Sequence, residues 1–243
     1  MKITAINGSP KGKASHTNVM VSSFLKGAQA AGAETVNIFL SEKDIHHCRG
    51  CFSCWVNHPG QCVIKDDMSE VLARCANSDI LILATPLYFD NISGMLKDFM
   101  DRLIVSGDPH FQKDSSGECR HTHLFKQKTP KLILMSNCGF SERSHFQVIS
   151  HWIQRAALNM HTEVIGEIYT PQGGLLNITS GELSTIIQQY IHHLETAGKE
   201  IVTDMKISAD TAKQLEQNFI PDEIYVQQAN QYFDSMLAKQ PIL

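Results

Sequence analysis

The chain has 243 residues, 42% of them hydrophobic and 19% charged, with a formal net charge of -4. That length allows one sizeable core, or a core plus an extension, of ordinary globular composition. The charge gives no electrostatic reason to expect nucleic acid, and no apolar run approaches the ~20 residues that span a bilayer. A strand and a loop follow directly on Met1, which is not the pattern of a signal peptide, so the expected location is cytoplasmic with no membrane partner. Seven cysteines in a reducing compartment point to thiol, metal or redox work, not to a disulfide framework.

Residues 3–7 (Ile-Thr-Ala-Ile-Asn) read as a short apolar strand. A loop of small and polar residues follows over 8–17, and a helix opens at Asn18 with apolar residues at Val19, Met20, Phe24, Leu25 and Ala28. Gly32 is its stop. Residues 34–40 form a second strand, and a polar, cysteine-rich loop runs on to Lys65. Asp67 with Glu70 suggests a capping box for the next helix. The continuous apolar run 79–84 reads as a strand covered on both faces. A loop over 85–93 then leads into a helix over 94–105, in which Asp98 and Arg102 are spaced for an i,i+4 ion pair. A polar insertion over 106–130 carries His110, His121 and His123, and a loop that long is usually functional or mobile. Strand 131–136, helix 143–159, strand 162–169 and a long helix 182–202 complete the pattern. Over 206–243, Ser208 is placed to cap one short helix. A second, after Pro221, carries Val226, Ala229, Phe233 and Leu237 on one face, either packed on the parent domain or serving as a dimer arm.

Strands alternating with helices imply a parallel sheet covered on both faces, and right-handed crossovers favour the strand order 2-1-3-4-5. The expected organisation is thus a doubly wound α/β domain over 1–205 with a helical extension over 206–243. Ligands of such sheets bind beyond the strand C-termini at the switch point, here between the loops 8–18 and 85–93. The first loop is an anion site by construction, because free amides and the positive end of the helix dipole face one point. Ser9, Ser15 and Thr17 add hydroxyls, and Lys11, Lys13 and His16 add positive charge. It is not a G-x-x-x-x-G-K-[ST] loop, since Gly8 and Gly12-Lys13 are one residue too close and Ala14 follows; nor does it have G-x-G-x-x-G spacing. The second loop offers Pro86 as a stiff entry, Tyr88 or Phe89 as a flat face, and Asn91 for hydrogen bonds. Cys138 and Gly139 reach the same rim after the fourth strand. A phosphate loop beside an aromatic loop suits a mononucleotide with a large ring.

At these residues the sequence resembles the flavodoxin-like NAD(P)H-dependent FMN reductases and quinone reductases, over residues 1–202. The anchors are Asn7-Gly8-Ser9-Pro10 with residues 15–18, then Thr85-Pro86-Leu87-Tyr88 through Ser93-Gly94, then Leu96-Lys97-Asp98-Phe99 with Asp101-Arg102. The resemblance implies FMN, with NAD(P)H as reductant. By it, Ser9, Lys11, Ser15, Thr17 and Asn18 hold the phosphate, Pro86, Leu87, Tyr88 and Asn91 meet the isoalloxazine, and Cys138 and Gly139 lie near its polar edge. No catalytic triad is required, because the cofactor carries the chemistry. The acceptor is expected to be a small molecule such as a quinone, nitroaromatic, azo dye, free flavin or metal oxyanion, and the assembly a homodimer or homotetramer.

Cys48, Cys51, Cys54 and Cys62 form a C-x2-C-x2-C-x7-C run. The first three can turn their sulfurs to one centre, as in ferredoxin-type ligand runs. The run looks like the compact motif of the iron–sulfur flavoproteins, a branch of the same family that passes single electrons between cluster and FMN. A [4Fe–4S] cluster, zinc, and metal-free cysteines packed beside the flavin all stay open at this stage. Two other functions are weighed against the NAD(P)H oxidoreductase: an iron–sulfur flavoprotein carrying electrons between protein partners such as a ferredoxin, and a flavin-bound redox sensor or interaction module. His46, His47 and His58 read as surface residues, and Cys75 as core.

Overall fold

Hydrophobic patterning divides the chain into a five-stranded parallel sheet with a helical layer on each face. The computed structural model describes residues 1–123 and 129–239. The elements in chain order are β1 (Lys2–Asn7), α1 (His16–Ala30), β2 (Glu34–Phe39), α2 (Ser53–Val56), α3 (Met68–Ala76), β3 (Ile80–Pro86), α4 (Gly94–Arg102), β4 (Gly107–Lys113), β5 (Cys119–His123), β6 (Lys131–Asn137), α5 (Gln147–Asn159), β7 (Val164–Thr170), α6 (Glu182–Asp204), α7 (Ala209–Leu215) and α8 (Asp222–Leu237). The main sheet runs β2-β1-β3-β6-β7. With its strands counted alone, that is the 2-1-3-4-5 order expected from the sequence. Ile3 pairs with Thr35 on one side and Ile80 on the other. β3 and β6 lie inside the sheet with helices on both faces, which is why Ile80–Pro86 is buried throughout.

One core layer joins Phe24, Ile82, Met135, Leu194 and Ile201 under α1 and α6. The other joins Met68, Leu83, Phe99, Leu134 and Ile153 under α3, α4 and α5. α1 and α6 approach so closely that a Cβ on Gly27 would lie 1.8 Å from Glu195 O, and one on Gly198 would lie 2.0 Å from Phe24 O. Neither glycine has a positive φ; their role is to let two helix backbones touch.

Three local expectations are corrected. The insertion contains an antiparallel hairpin, β4–β5, turned at Asp114, whose Oδ1 accepts from the Ser116 and Glu118 amides at 2.8 and 3.1 Å, and at Gly117, φ +84; its residues 124–128 lie outside the described residues. Asp67 does not cap α3 with its side chain; Asp66 Oδ1 accepts from Met68 N at 3.2 Å, while Asp67 Oδ2 accepts from Asp44 N at 2.9 Å. Arg102 does not pair with Asp98. It crosses to Asp66, and Asp98 meets His47 Nδ1 at 2.5 Å.

Ser208 caps α7 as expected, its Oγ accepting from Thr211 N at 3.2 Å. The extension is pinned to the sheet by Gln172, a fully buried residue at φ +54. Its Nε2 donates to Ser141 Oγ (2.8 Å) and Ile220 O (2.9 Å), and its Oε1 accepts from the Phe219 and Ile220 amides (3.0 and 3.1 Å). Beyond this latch α8 is largely uncovered. Tyr225 is its one buried residue, and Val226, Phe233 and Leu237 are 49%, 60% and 69% exposed. Residues 240–243 of the extension lie outside the described residues. No helix among the described residues is long and apolar enough to cross a membrane.

Candidate functional site

The loop after β1 is shaped by its own side chains. Asn7 Oδ1 accepts from the Ser9 amide at 3.1 Å, turning the chain at the end of the strand. Gly8 donates its amide to Ala84 O at 2.7 Å, and a Cβ on it would lie 2.7 Å from that of Leu96. Ser93 Oγ donates to Gly8 O at 2.6 Å, so the start of α4 is tied to the first loop across the switch point. Ser15 is the N-cap of α1: its Oγ accepts from Asn18 N (3.0 Å) and donates to Gly12 O (2.7 Å). Asn18 Nδ2 donates to Lys13 O (2.9 Å), and its Oδ1 accepts from Asn37 Nδ2 (3.0 Å). These bonds give Ser15 and Asn18 a part in holding the loop, while the second Nδ2 proton of Asn18 has no bond within it.

An anion is left with the first-turn amides of His16 and Thr17, which have no intrahelical acceptor. It is also left with the buried hydroxyls of Ser9 and Thr17. Thr17 Oγ1 already accepts from Asn137 Nδ2 at 2.8 Å, which leaves its proton to donate. Lys11 is exposed beside the loop, and Lys13 is paired with Glu42 at 3.3 Å. Burial, and then the charge of Lys11, lower the His16 pKa, so this imidazole is mainly neutral at pH 7 and acts as a polar wall.

The second loop is a tight hairpin. Tyr88 and Asn91 exchange backbone bonds at 2.9 and 3.1 Å, with Phe89 and Asp90 between them at φ +49 and +55. Those are the positive angles of a type I′ turn, a position usually held by Asn or Gly, so Phe89 is a strained choice. Its ring is fully exposed. Pro86 is buried, Leu87 half-buried, and the Leu87 amide donates to Asn137 O at 2.9 Å. Asn91 Oδ1 accepts from Ile92 N at 2.8 Å. Across the rim, burial pushes the Cys138 thiol up to about 11, so it stays protonated. Gly139 faces open space. Phe140 stacks on His145 at 4.2 Å, and His145 Nδ1 meets Asp90 Oδ1 at 3.0 Å, which ties the hairpin tip to the loop after β6.

The four cysteines of the C-x2-C-x2-C-x7-C run come to one place. Cys48, Cys51, Cys54 and Cys62 all line a cavity of about 20 Å³. Gly50 and Phe52, both at positive φ, curl the chain between them. Burial, then the neighbouring Cys62, Cys48 and Cys51, raise the Cys54 thiol. Among the described residues no three His, Cys, Asp or Glu side chains gather around a single metal ion; the cysteines instead surround a shared space. Arg102 closes one wall of it. The guanidinium is buried, donates to Asp66 at 2.6 and 3.0 Å and to His46 O at 2.8 Å, and reaches the Cys62 thiol. The cavity lies at the C-terminal end of α4, whereas the switch-point crevice lies at its N-terminal end. His46, His47 and His58 are exposed, and burial pushes the Cys75 thiol up to about 12.

Residues 1–170 match the family model described as NADPH-dependent FMN reductase. The chain belongs to this family. The description of that family names FMN and NADPH, the cofactor and a reductant expected from the sequence. Among curated relatives, an iron–sulfur flavoprotein of Archaeoglobus fulgidus is 36% identical over 107 residues, 44% of this chain and 47% of that protein. One of Methanosarcina thermophila is 34% identical over 105 residues, 43% of this chain and 53% of that protein. The matched stretch thus spans about half the length of these relatives. In fold, the chain is similar to an FMN-dependent NADH-azoreductase from Bacillus anthracis solved with FMN (TM-score 0.60, 18% identity, 83% of this chain and 99% of that one). It is also similar to an NAD(P)H:quinone oxidoreductase from Methanothermobacter marburgensis (TM-score 0.57, 14% identity, 83% of this chain and 96% of that one).

As a family member the chain can be tested for fit to FMN on its own atoms. The donors left uncommitted in the first loop suit a phosphate. Asn7 Nδ2 is buried at the switch point with no hydrogen-bond partner, a vacancy that a ligand oxygen can fill. The sequence points to these loops and to Ser15 and Asn18 as ligand contacts; in the structure both side chains also bond within and beside the first loop. Asn7 and Asn137 are not legible there as positioning residues. The one available signal was that both are polar at the C-terminal ends of apolar strands.

Proposed function

We propose that the chain is an FMN-dependent oxidoreductase that takes electrons from NAD(P)H and passes them to a small acceptor of the quinone, nitroaromatic, azo or flavin class. The observation that carries this reading is the Ser93–Gly8 tie, which fixes a phosphate loop and a ring-binding loop to each other at one crevice. Ser9, Thr17 and the first-turn amides of α1 bind the phosphate, with Lys11 adding charge at its rim. Ser15 and Asn18 keep that loop closed. Pro86, Leu87, Tyr88 and Asn91 form one wall for the ring, and Cys138 and Gly139 the opposite edge. FMN, when bound, supplies hydride acceptance and donation. The exposed Tyr88 and Phe89 leave one face open for the nicotinamide and the acceptor in turn.

The second reading, an iron–sulfur flavoprotein that carries electrons between protein partners, is favoured by the convergence of four cysteines on one cavity and by the names of the curated relatives. Cys48, Cys51, Cys54 and Cys62 would hold a [4Fe–4S] cluster, which supplies one-electron transfer when bound. Arg102 would offset its negative charge. A homo-oligomer is part of both readings.

Anaerobically purified protein tests them together. Absorbance near ~450 nm that bleaches with dithionite supports FMN, and iron and acid-labile sulfide near four each per chain support the cluster. Rapid NAD(P)H oxidation with a soluble quinone supports the first reading. Oxidation only in the presence of a ferredoxin-like protein supports the second. A colourless protein that gains no flavin absorbance with added FMN overturns both.

A further inference from the structure

The loop after β6 owes its shape to residues that follow it in the chain. Cys138 O accepts from the Gly173 amide at 2.7 Å, and Phe140 O from the Gln172 amide at 2.7 Å. The C-terminal extension holds the other two carbonyls. Gly139 O accepts from the Tyr225 hydroxyl at 2.7 Å, and Ser141 O from Asn218 Nδ2 at 3.1 Å. Every carbonyl from Cys138 to Ser141 thus has a donor, supplied from just past β7 or from the extension.

The amides go the other way. A trans peptide unit sets its C=O and its N–H on opposite sides, so the bond to Cys138 O orients the Gly139 amide and the bond to Gly139 O orients that of Phe140. Among the described residues neither amide meets an acceptor. β6 lies between β3 and β7 in the sheet. Carbonyls turned to the β7 side leave these two amides facing β3, where residues 85–93 wall the crevice. Gly139 is the weak point of this arrangement. Its φ is not positive and a Cβ on it would meet nothing within 4 Å, so neither backbone angle nor crowding demands glycine there. What glycine adds is freedom for the peptide units on either side to turn. The Gly173 amide restrains one of them, and Tyr225 restrains the other.

Tyr225 is suited to that task. It is the one buried residue of α8, and burial, then the Cys138 thiol beside it, raise the pKa of its hydroxyl, which therefore keeps its proton to donate. We propose that Tyr225 is a positioning residue for the bound ring: by holding Gly139 O it aims the Phe140 amide, beside that of Gly139, at the polar edge of the ring. This rests on the assignment of FMN to the crevice. The hydroxyl is spent on Gly139 O and acts through one peptide unit. N–H donors at that edge favour the more electron-rich, reduced ring, so Tyr225 tunes the potential of the cofactor from outside the matched family region, which ends at residue 170.

Tyr225→Phe in the full-length, FMN-loaded protein keeps the buried ring and removes the hydroxyl. Reduced FMN should then lose about tenfold more affinity than oxidised FMN, which lowers the two-electron midpoint potential by about 30 mV. Asp222→Ala is the comparison. It removes the acceptor of Ser141 Oγ (2.7 Å) and Asn218 Nδ2 (2.8 Å), loosening the start of α8 without touching Gly139 O, and should leave the potential unchanged. Amide hydrogen exchange in the wild-type protein needs no variant: FMN should slow the Gly139 and Phe140 amides about tenfold or more. An unchanged potential in Tyr225→Phe, an equal shift in Asp222→Ala, or FMN that binds without protecting these amides overturns the proposal and leaves the FMN assignment standing. A protein that takes up no FMN overturns the assignment, and the proposal with it.

Discussion

Replacing Asp66 by asparagine isolates the contact that moors the cysteine loop. The Asp66 and Arg102 side chains are 0% and 2% exposed and meet through two hydrogen bonds, at 2.6 and 3.0 Å. Burial alone would raise the Asp66 carboxyl, but the hydrogen bonds from Arg102 and from the His46 and Met68 amides outweigh it and pull the pKa from 3.8 to about 2. A depression of that size corresponds to about 2 kcal/mol of stability at neutral pH. The substituted carboxamide would keep an acceptor but leave the guanidinium buried and uncompensated, a defect that costs roughly 3–5 kcal/mol when a partner is removed outright. The expected loss for Asp66→Asn is therefore about 2–4 kcal/mol, read as a fall in the urea midpoint at unchanged slope.

The sign of the pH dependence follows from the folded pKa lying below the unfolded one. The stabilisation is complete above about pH 5 and is lost as the pH falls through about 2. The difference between wild type and Asp66→Asn should close over that window. Cys48, Cys51 and Cys62 should also react faster with a disulfide reagent in the variant, because the guanidinium that fixes His46 O and the Cys62 wall is set loose. A midpoint shift worth less than about 0.5 kcal/mol at pH 7, or a gap that stays constant from pH 5 to pH 2, would refute the reasoning.

Gly27→Ala and Gly198→Ala should each cost about 3 kcal/mol or more, since the added Cβ meets backbone of the facing helix and not a movable side chain; Gly94→Ala, with nothing within 4 Å, is the control and should change the melting temperature little. Gln172→Leu removes the acceptor for the Phe219 and Ile220 amides and should cost about 2–3 kcal/mol, with limited proteolysis showing earlier release of the α7–α8 extension. Light scattering should give a mass above the 27.1 kDa of one chain, and Phe233→Asp with Leu237→Asp on the uncovered face of α8 should return it to that value; a wild-type monomer counts against α8 as an assembly surface.

What the sequence reveals of this protein is mostly what local pattern determines. Ile80–Pro86 and Lys131–Asn137 announce themselves as buried strands because helices cover both faces of the sheet there. The switch point then follows from strand order, and it brings residues 8–18 and 85–93 together without any contact having to be known. The Arg102 pairing was illegible for the converse reason. Asp98 is near by helical spacing, but Asp66, 36 residues away, offers a buried bidentate geometry that no spacing rule encodes. The β4–β5 hairpin escaped notice because Gly107–Lys113 is polar and lacks alternation. Its turn, Asp114-Ser115-Ser116-Gly117, carried the only signal. Gln172 is a similar case: a single polar residue whose importance comes from where four unrelated hydrogen-bonding groups happen to meet.

α4 links the two candidate centres, and its two ends are held by different means. At its start, Ser93 accepts from Leu96 N, donates to Gly8 O and donates its amide to Thr85 Oγ1, so the cap of the helix belongs to the crevice. At its end, Arg102 belongs to Asp66, His46 and the cysteine cavity. The helix has nine residues and spans about 13 Å, with Leu96 and Phe99 locked in the core between the two anchorages. Because neither anchorage shares a hydrogen-bonding partner with the other, damage at one end should stay there, as expected for sites more than about 10 Å apart without common partners. Asp66→Asn should loosen the cysteines and leave FMN affinity within about twofold of wild type. Ser93→Ala should weaken FMN binding and leave the thiol reactivity unchanged. A rigid rod with independent ends keeps the two candidate centres at a fixed separation while allowing each to be tuned alone.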